Sequence, residues 1–396
     1  MLFYNCNTQI ILNPVQKHSI YFDNNATTPT DPRVIEAMLP FFNSNFGNPS
    51  SNHFIGEKTK SVVEKSRGFI SEIFNVSSQE IIFTSGATES INLAVKGIAE
   101  AYSNKGKHII TTKTEHSAVL DVCKHLEKKG FEIEYLSVDR EGLIDLNELS
   151  EKIREDTILV SIIYVNNETG VIQPIKEIGE ICKNKDVLFF TDATQAVGKI
   201  PIDVNELNLD LLCFSGHKFY GPKGIGGLYC RKDVKLEALI HGGGHERGLR
   251  SGTLNVPGIV GLAKAFEITM AEMQTNEEKI KTLRDEFENK LLITKKVKLN
   301  GHPLKRLYNV SNICLTAVDP FLVNNELIDV AYSQGSACNS SSIKPSHVLK
   351  AMGLSDQETL SSFRFSFGKY NTMDEINRVI ESLMKLFKTK PVLNKV

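Results

Sequence analysis

The stretch Leu211-Leu212-Cys213-Phe214-Ser215-Gly216-His217-Lys218-Phe219-Tyr220-Gly221-Pro222 decides the fold. Its apolar start reads as a buried strand, and Gly221-Pro222 marks the turn beyond it. Lys218 stands between the two. A lysine at such a sheet edge is desolvated, which lowers its proton affinity and leaves an amine able to form a Schiff base. Upstream, Val187-Leu188-Phe189-Phe190-Thr191 ends on Asp192. A carboxylate there is costly unless paired, and the protonated ring nitrogen of a bound cofactor is a natural partner. Taken alone, each residue reads as an ordinary solvated side chain.

Outward from this pair, short apolar runs alternate with amphipathic stretches, the pattern of a mainly parallel sheet wrapped by helices. The pattern predicts strands at 81–84, 108–112, 131–138, 158–165, 187–191, 209–214 and 227–230, and helices at 89–102, 118–128, 146–154 and 175–183. Catalytic groups of such sheets lie in loops at the carboxyl ends of strands. A long charged amphipathic stretch at 260–292 reads as a bridge to a smaller domain, with a strand at 308–315 and a helix near 325–331. The division expected is an N-terminal extension at 1–19, a large domain at 20–262 whose first residues are free to pack on the small one, and a small domain at 263–396. The small domain carries a Ser-, Gly- and Asn-rich segment at 334–345, expected to be mobile.

With 396 residues the chain suits one large enzyme subunit of two unequal domains, and its net charge of -1 gives no electrostatic case for nucleic acid. The seven cysteines, Cys6, Cys123, Cys182, Cys213, Cys230, Cys314 and Cys338, form no C-x-x-C pair. That spacing argues against a disulfide framework or zinc site and for a reducing compartment. Cys213 and Cys230 fall in predicted strands, Cys123 and Cys182 in predicted helices. The first 19 residues show no leader pattern and no apolar stretch is long enough to span a bilayer, so a cytoplasmic protein is expected.

Several strings fall at predicted strand ends. Ser85-Gly86-Ala87-Thr88-Glu89 opens a helix after a strand, where backbone N–H groups and the Thr88 hydroxyl suit a phosphate, although the same turn also serves as a plain helix cap. His116 follows the strand at 108–112, where an imidazole can stack on a planar cofactor or move protons. Asn166-Asn167-Glu168 and Asp192-Ala193-Thr194-Gln195 end the next two. His241 and His245 are four apart, but the three glycines between them exclude a helix, so a flexible loop is expected there instead of a metal site. Arg250-Ser251-Gly252-Thr253 beyond it offers donors for a phosphate or a subunit contact. Cys338, in Gly335-Ser336-Ala337-Cys338-Asn339-Ser340, is a thiol in a hydrophilic loop, suited to a nucleophile or sulfur carrier. Arg364 interrupts the apolar run Phe363-Arg364-Phe365 and needs a carboxylate, from the protein or from a substrate.

From Ile20 to about Leu386 these residues, with Tyr21-Phe22-Asp23-Asn24-Asn25-Ala26-Thr27-Thr28-Pro29 and Ser215-Gly216-His217-Lys218, resemble the pyridoxal phosphate-dependent cysteine desulfurases of the NifS and IscS type. The resemblance implies an α/β fold of the PLP-dependent transferase kind, aspartate aminotransferase-like (fold type I), with a large mainly parallel sheet domain and a smaller α+β domain. It also implies roles. Lys218 carries pyridoxal 5'-phosphate and moves the substrate α-proton; Asp192 pairs with the ring nitrogen, and His116 stacks on the ring. Asn167 and Gln195 hold the ring oxygen and the substrate side. Ala87, Thr88, Ser215 and His217 hold the phosphate, joined by Thr253 from the other subunit of a homodimer. Arg364 binds the carboxylate of L-cysteine, and the Cys338 thiolate takes its sulfur as a persulfide, releasing alanine. The sulfur acceptor would be an iron–sulfur scaffold protein or a tRNA thiolation factor; no membrane or direct nucleic acid contact is implied. Gln334 and Asn339 stand where Ser and Thr are commoner in relatives, and Lys344 where an acidic residue is usual.

Three other readings compete. A selenocysteine lyase shares the fold; an aminotransferase has no use for the Cys338 thiol; a sulfur-relay or scaffold-binding module has no use for Lys218 and Asp192.

Overall fold

Seven strands, all but the last largely buried, pair in the order Ile81–Thr84, Gly226–Cys230, Leu211–Ser215, Leu188–Asp192, Thr157–Ser161, His108–Thr112, Glu132–Leu136 in a computed structural model that describes residues 19–316, 318–334 and 345–388. Pairing is parallel except for Gly226–Cys230, which runs antiparallel to both neighbours. That strand is reached by the short turn through Gly221 and Pro222, and a connection so short can only fold back. The expected strand at 158–165 ends sooner, at Ser161. Its pairing nonetheless continues irregularly, with the Ile162 N–H donating to Phe190 O (3.1 Å) and the Tyr164 N–H to Asp192 O (3.0 Å).

Strands buried on both faces need two helical layers. On one face Ala87–Ala101 and Ser117–Glu127 bring Ile91, Val95, Val119 and Val122 against Ile82, Ile109, Leu159 and Leu211. On the other, Phe54–Ile73, Ile175–Asn184 and Val256–Leu292 bring Val63, Ile70, Ile178 and Phe266 against Phe83, Val160, Phe189 and Phe214.

Val256–Leu292 is one helix of 37 residues with two buried stretches, from Val256 to Thr269 and from Ile280 to Leu291. The expected boundary at 262 and 263 therefore falls inside a continuous helix. The second stretch meets an antiparallel sheet ordered Ser333–Gln334, Ser362–Ser366, Val310–Leu315, Val297–Leu299. The helix Met373–Lys388 buries Ile376, Val379, Ile380, Leu383 and Phe387, which share one helical stripe.

The helix expected near 325–331 is a correction. The helix is Pro320–Glu326, begun by Pro320 and by the Asp319 carboxylate accepting from the Phe321 N–H (2.9 Å). Val330–Ala331 is instead a strand, pairing in parallel with Ile20–Tyr21, so the start of the described chain is tied to the small domain. No helix among the described residues is long and apolar enough to cross a membrane. Residues 1–18 of the extension expected at 1–19, and Cys338 with its neighbours at 335–344, lie outside the described residues.

Candidate active site

A cavity of about 990 Å³ opens where the strand ends of the large sheet face the small domain. At one end, Ile81–Thr84 passes through Ser85 and Gly86 into the helix Ala87–Ala101. Gly86 has φ 150°, a conformation that glycine tolerates and side chains do not, and a Cβ there would lie 3.3 Å from Ser215 Oγ. No side chain caps this helix, so its first N–H groups and the positive end of its dipole are left for a ligand. Ala87, Thr88, Ser215 and His217 line the cavity here with Lys223. His217 Nδ1 lies 3.1 Å from Thr27 Oγ1. Burial, then the Lys218 charge beside it, brings its imidazole down to about 4, so it is neutral at physiological pH. Amide N–H groups, hydroxyls and an ammonium fit a phosphate dianion.

Asp192 lines the middle of the cavity, only 4 % exposed. Its Oδ1 accepts from the Thr194 N–H at 2.9 Å and from the Cys213 thiol at 3.4 Å, which fixes the carboxylate. His116 is the N-cap of Ser117–Glu127, its Nδ1 accepting from the Ala118 N–H at 3.1 Å. Burial lowers its proton affinity. Gln195 Nε2 donates to Asn25 O at 2.9 Å. The same carbonyl accepts from Lys218 Nζ at 2.7 Å, and Ala26 O accepts from it at 2.8 Å. A carboxylate, a neutral imidazole and an amine around one cavity fit the ring and carbonyl carbon of pyridoxal phosphate.

Arg364 comes from the small sheet. Its Nη2 donates to Asp23 Oδ1 and Ser333 Oγ, both at 2.7 Å, and its Nη1 to the carbonyl of Asn167 at 3.0 Å. Within the protein, Asp23 is the carboxylate that partners this arginine.

The structure brings together Lys218, Asp192, His116, Ala87, Thr88, Asn167, Gln195, Ser215, His217 and Arg364. It does not bring Thr253 into this chain's cavity; that residue is exposed on the loop beyond Gly252. The segment between the three glycines and Thr253 is anchored. Glu246 is buried and bidentate with Arg67 (2.7 and 2.8 Å), accepts from the Phe83 N–H, and Arg250 pairs with Glu89. Among the described residues no cluster suits a metal ion.

Sequence reasoning passed over Asp23, Asn25 and His347 as site residues, although Asp23 and Asn25 lie in the quoted string at 21–29. It also missed two buried ionisable groups near the cavity. Burial raises the Glu115 carboxyl well above the usual range and brings the Lys199 amine down to about 7.

The class-V aminotransferase family matches residues 20–379. A protein of Glaesserella parasuis named cysteine desulfurase IscS is 52 % identical over 376 residues, covering 93 % of each chain. One of the same name from Pectobacterium carotovorum is 50 % identical over 374 residues, again 93 % of each. A solved structure described as a NifS-like protein superposes with a TM-score of 0.87 at 40 % identity, covering 93 % of this chain and 99 % of its own. With the cavity arranged as it is, the chain belongs to the class-V aminotransferase family, as a pyridoxal phosphate enzyme of the cysteine desulfurase kind.

Proposed function

We propose that the cavity around Lys218 takes sulfur from L-cysteine, leaves L-alanine and a persulfide on Cys338, and passes that sulfur to an acceptor protein for iron–sulfur cluster assembly. The observation that carries this reading is that Lys218, Asp192 and Arg364 line one cavity. Pyridoxal phosphate supplies the electron sink that lets bonds to the substrate α- and β-carbons break. Ala87, Thr88, Ser215 and His217 would hold its phosphate, Asp192 its ring nitrogen and His116 its ring, while Gln195 and Asn167 would hold its ring oxygen and the substrate side. Lys218, placed by the carbonyls of Asn25 and Ala26, moves the α-proton. Arg364 takes the substrate carboxylate. The Cys338 thiolate attacks the substrate sulfur: a sulfur–sulfur bond forms, the carbon–sulfur bond breaks, and its electron pair remains with the carbon fragment, which is protonated to alanine.

Thr253 completes the phosphate site of the other subunit in a homodimer. Support comes from its absence from its own cavity and from exposed apolar side chains, Phe42 at 64 %, Phe46 at 68 % and Phe54 at 79 %, with Leu239 and Ile240. The chain divides near residue 262, within the helix that joins its two domains. It works in a reducing compartment, the cytoplasm, in keeping with the free buried Cys123, Cys182, Cys213, Cys230 and Cys314. The acceptor is an iron–sulfur scaffold protein, with a tRNA thiolation factor as a second acceptor.

The test is to incubate the purified protein with L-cysteine and a thiol reductant and to follow alanine and sulfide. Equal amounts of both are expected. The Cys338→Ser variant should still hold the cofactor yet form sulfide at least about 100-fold more slowly, a hydroxyl being a poor nucleophile toward sulfur. Unchanged sulfide formation by that variant would overturn the persulfide step, and labelled persulfide offered to each candidate acceptor identifies the partner.

A further inference from the structure

Three histidines line the cavity, His116, His217 and His347, and their hydrogen bonds set which of them can accept a proton. His116 Nδ1 is occupied by the Ala118 N–H, so its neutral form carries the proton on Nε2 and offers the cavity a donor. His217, held down to about 4, is a weak base. His347 is arranged in the opposite sense. It begins the helix His347–Ala351, and its Nε2 lies 2.9 Å from the carbonyl oxygen of Glu115. A carbonyl only accepts, so Nε2 carries the proton and Nδ1 keeps its lone pair. Among the described residues Nδ1 meets no hydrogen-bonding partner, and the ring is half-buried at the cavity wall.

Its mounting is rigid. Ser346, fully buried, donates to Glu168 Oε2 and accepts from the Leu349 N–H at 3.2 Å, which fixes the helix start. The charged and titratable groups around it are His116 and the Glu115 segment from the turn after His108–Thr112, Glu168 from the next turn, Asp192 and Lys218 from the strand ends, and Arg364 from the small sheet.

We propose that His347 is a further catalytic residue, the base whose Nδ1 takes the ammonium proton of the incoming amino acid. This rests on the reading that the substrate is L-cysteine. An amino acid at neutral pH arrives with a protonated nitrogen that has no lone pair, and it becomes a nucleophile only when that proton leaves. The N–H bond of the ammonium breaks, the new N–H bond forms at Nδ1, and the imidazolium keeps its Nε2–H on the Glu115 carbonyl. No electron changes owner.

The test uses His347→Gln, whose amide nitrogen takes the place of Nε2 and keeps a donor for the Glu115 carbonyl, beside His347→Ala. In the holoenzyme, kcat/KM for L-cysteine at pH 7 should fall by about 100-fold in both variants, the lower end of what a general base contributes. The deficit should shrink to within a few-fold at pH 9 to 10, where the substrate arrives as the free amine. Nitrogen NMR of the wild-type imidazole, assigned by its loss in His347→Gln, should show the neutral ring protonated on Nε2. A deficit equal at every pH, full activity of His347→Gln at pH 7, or a neutral ring protonated on Nδ1 each overturns the proposal. If the wild-type protein does not act on L-cysteine at all, the functional reading fails, while the NMR result still decides the state of His347.

Discussion

Arg364 Nη2 donates to Asp23 Oδ1 at 2.7 Å, and Ser333 Oγ, itself 2.7 Å from that Nη2, donates to the same Asp23 oxygen at 2.9 Å. The guanidinium is therefore oriented before any substrate arrives, and one side of it is already engaged. A carboxylate entering the cavity meets a fixed donor.

Arg364→Met should consequently raise KM for L-cysteine by about 10- to 100-fold, the loss of a charge-assisted bond worth roughly 1.5–3 kcal/mol, while cofactor loading is unchanged. Asp23→Asn keeps both the cation and a side-chain oxygen facing it, so its effect should be several-fold smaller. Steady-state kinetics with absorbance-measured cofactor content separates the two. Equal loss in both variants would mean that Asp23 itself binds substrate.

Glu246 and Arg67 form a buried pair beneath the glycine-rich loop, with side chains 1 % and 4 % exposed. Removing Glu246 leaves the buried Arg67 guanidinium with the more distant, half-exposed Glu64 as its carboxylate partner, at 3.3 Å. Glu246→Ala should destabilise the fold by about 3–5 kcal/mol, and adding Arg67→Met should recover most of that, because no uncompensated charge then remains. Urea unfolding of the two variants checks this; a double variant no more stable than Glu246→Ala would contradict it.

Thr253 tests the dimer. Thr253→Ala should weaken cofactor binding about 10-fold through loss of one phosphate hydrogen bond, and Lys218→Ala should be inactive. Dissociated and reassociated as an equal mixture, half of the dimers are hybrids, each with one site intact in both respects. About one quarter of wild-type activity should return at limiting cofactor. No recovery, with hybrids demonstrated by mass spectrometry, would place Thr253 in its own subunit's chemistry.

The sheet was legible because both-face burial writes strands as unbroken apolar runs, as in Leu211-Leu212-Cys213-Phe214 and Ile158-Leu159-Val160. Lys218 and Asp192 were legible because each interrupts such a pattern at its end. His347 was not, since an imidazole acquires a role only when a distant carbonyl, that of Glu115, fixes its proton. The helix Pro320–Glu326 was misplaced because local apolar spacing continued past Glu326 while the cap at Asp319 and Pro320 had already set its start. Cys338 was read from the composition of its segment and from the family resemblance, and it lies outside the described residues.

Glu115 gives a pH prediction whose sign follows from its surroundings. The carboxyl is fully buried beside Asp192, its Oε1 accepts from the Ile163 N–H at 2.7 Å and the Thr112 hydroxyl at 3.1 Å, and its Oε2 meets no partner among the described residues. Burial raises it well above its ordinary value of 4.5, so the folded chain keeps a proton that the unfolded chain sheds above that pH. The folded state then binds more protons, and stability must fall as pH rises from 4.5 toward the folded value, by up to about 1.4 kcal/mol per pH unit. Glu115→Gln has no proton to lose, so this fall disappears from its stability curve. Any constant cost of burying the amide cancels when each protein is compared with itself at two pH values. Urea unfolding at pH 5 and pH 8 should show the variant gaining on the wild type as pH rises; parallel curves would mean that Glu115 is ionised in the folded protein.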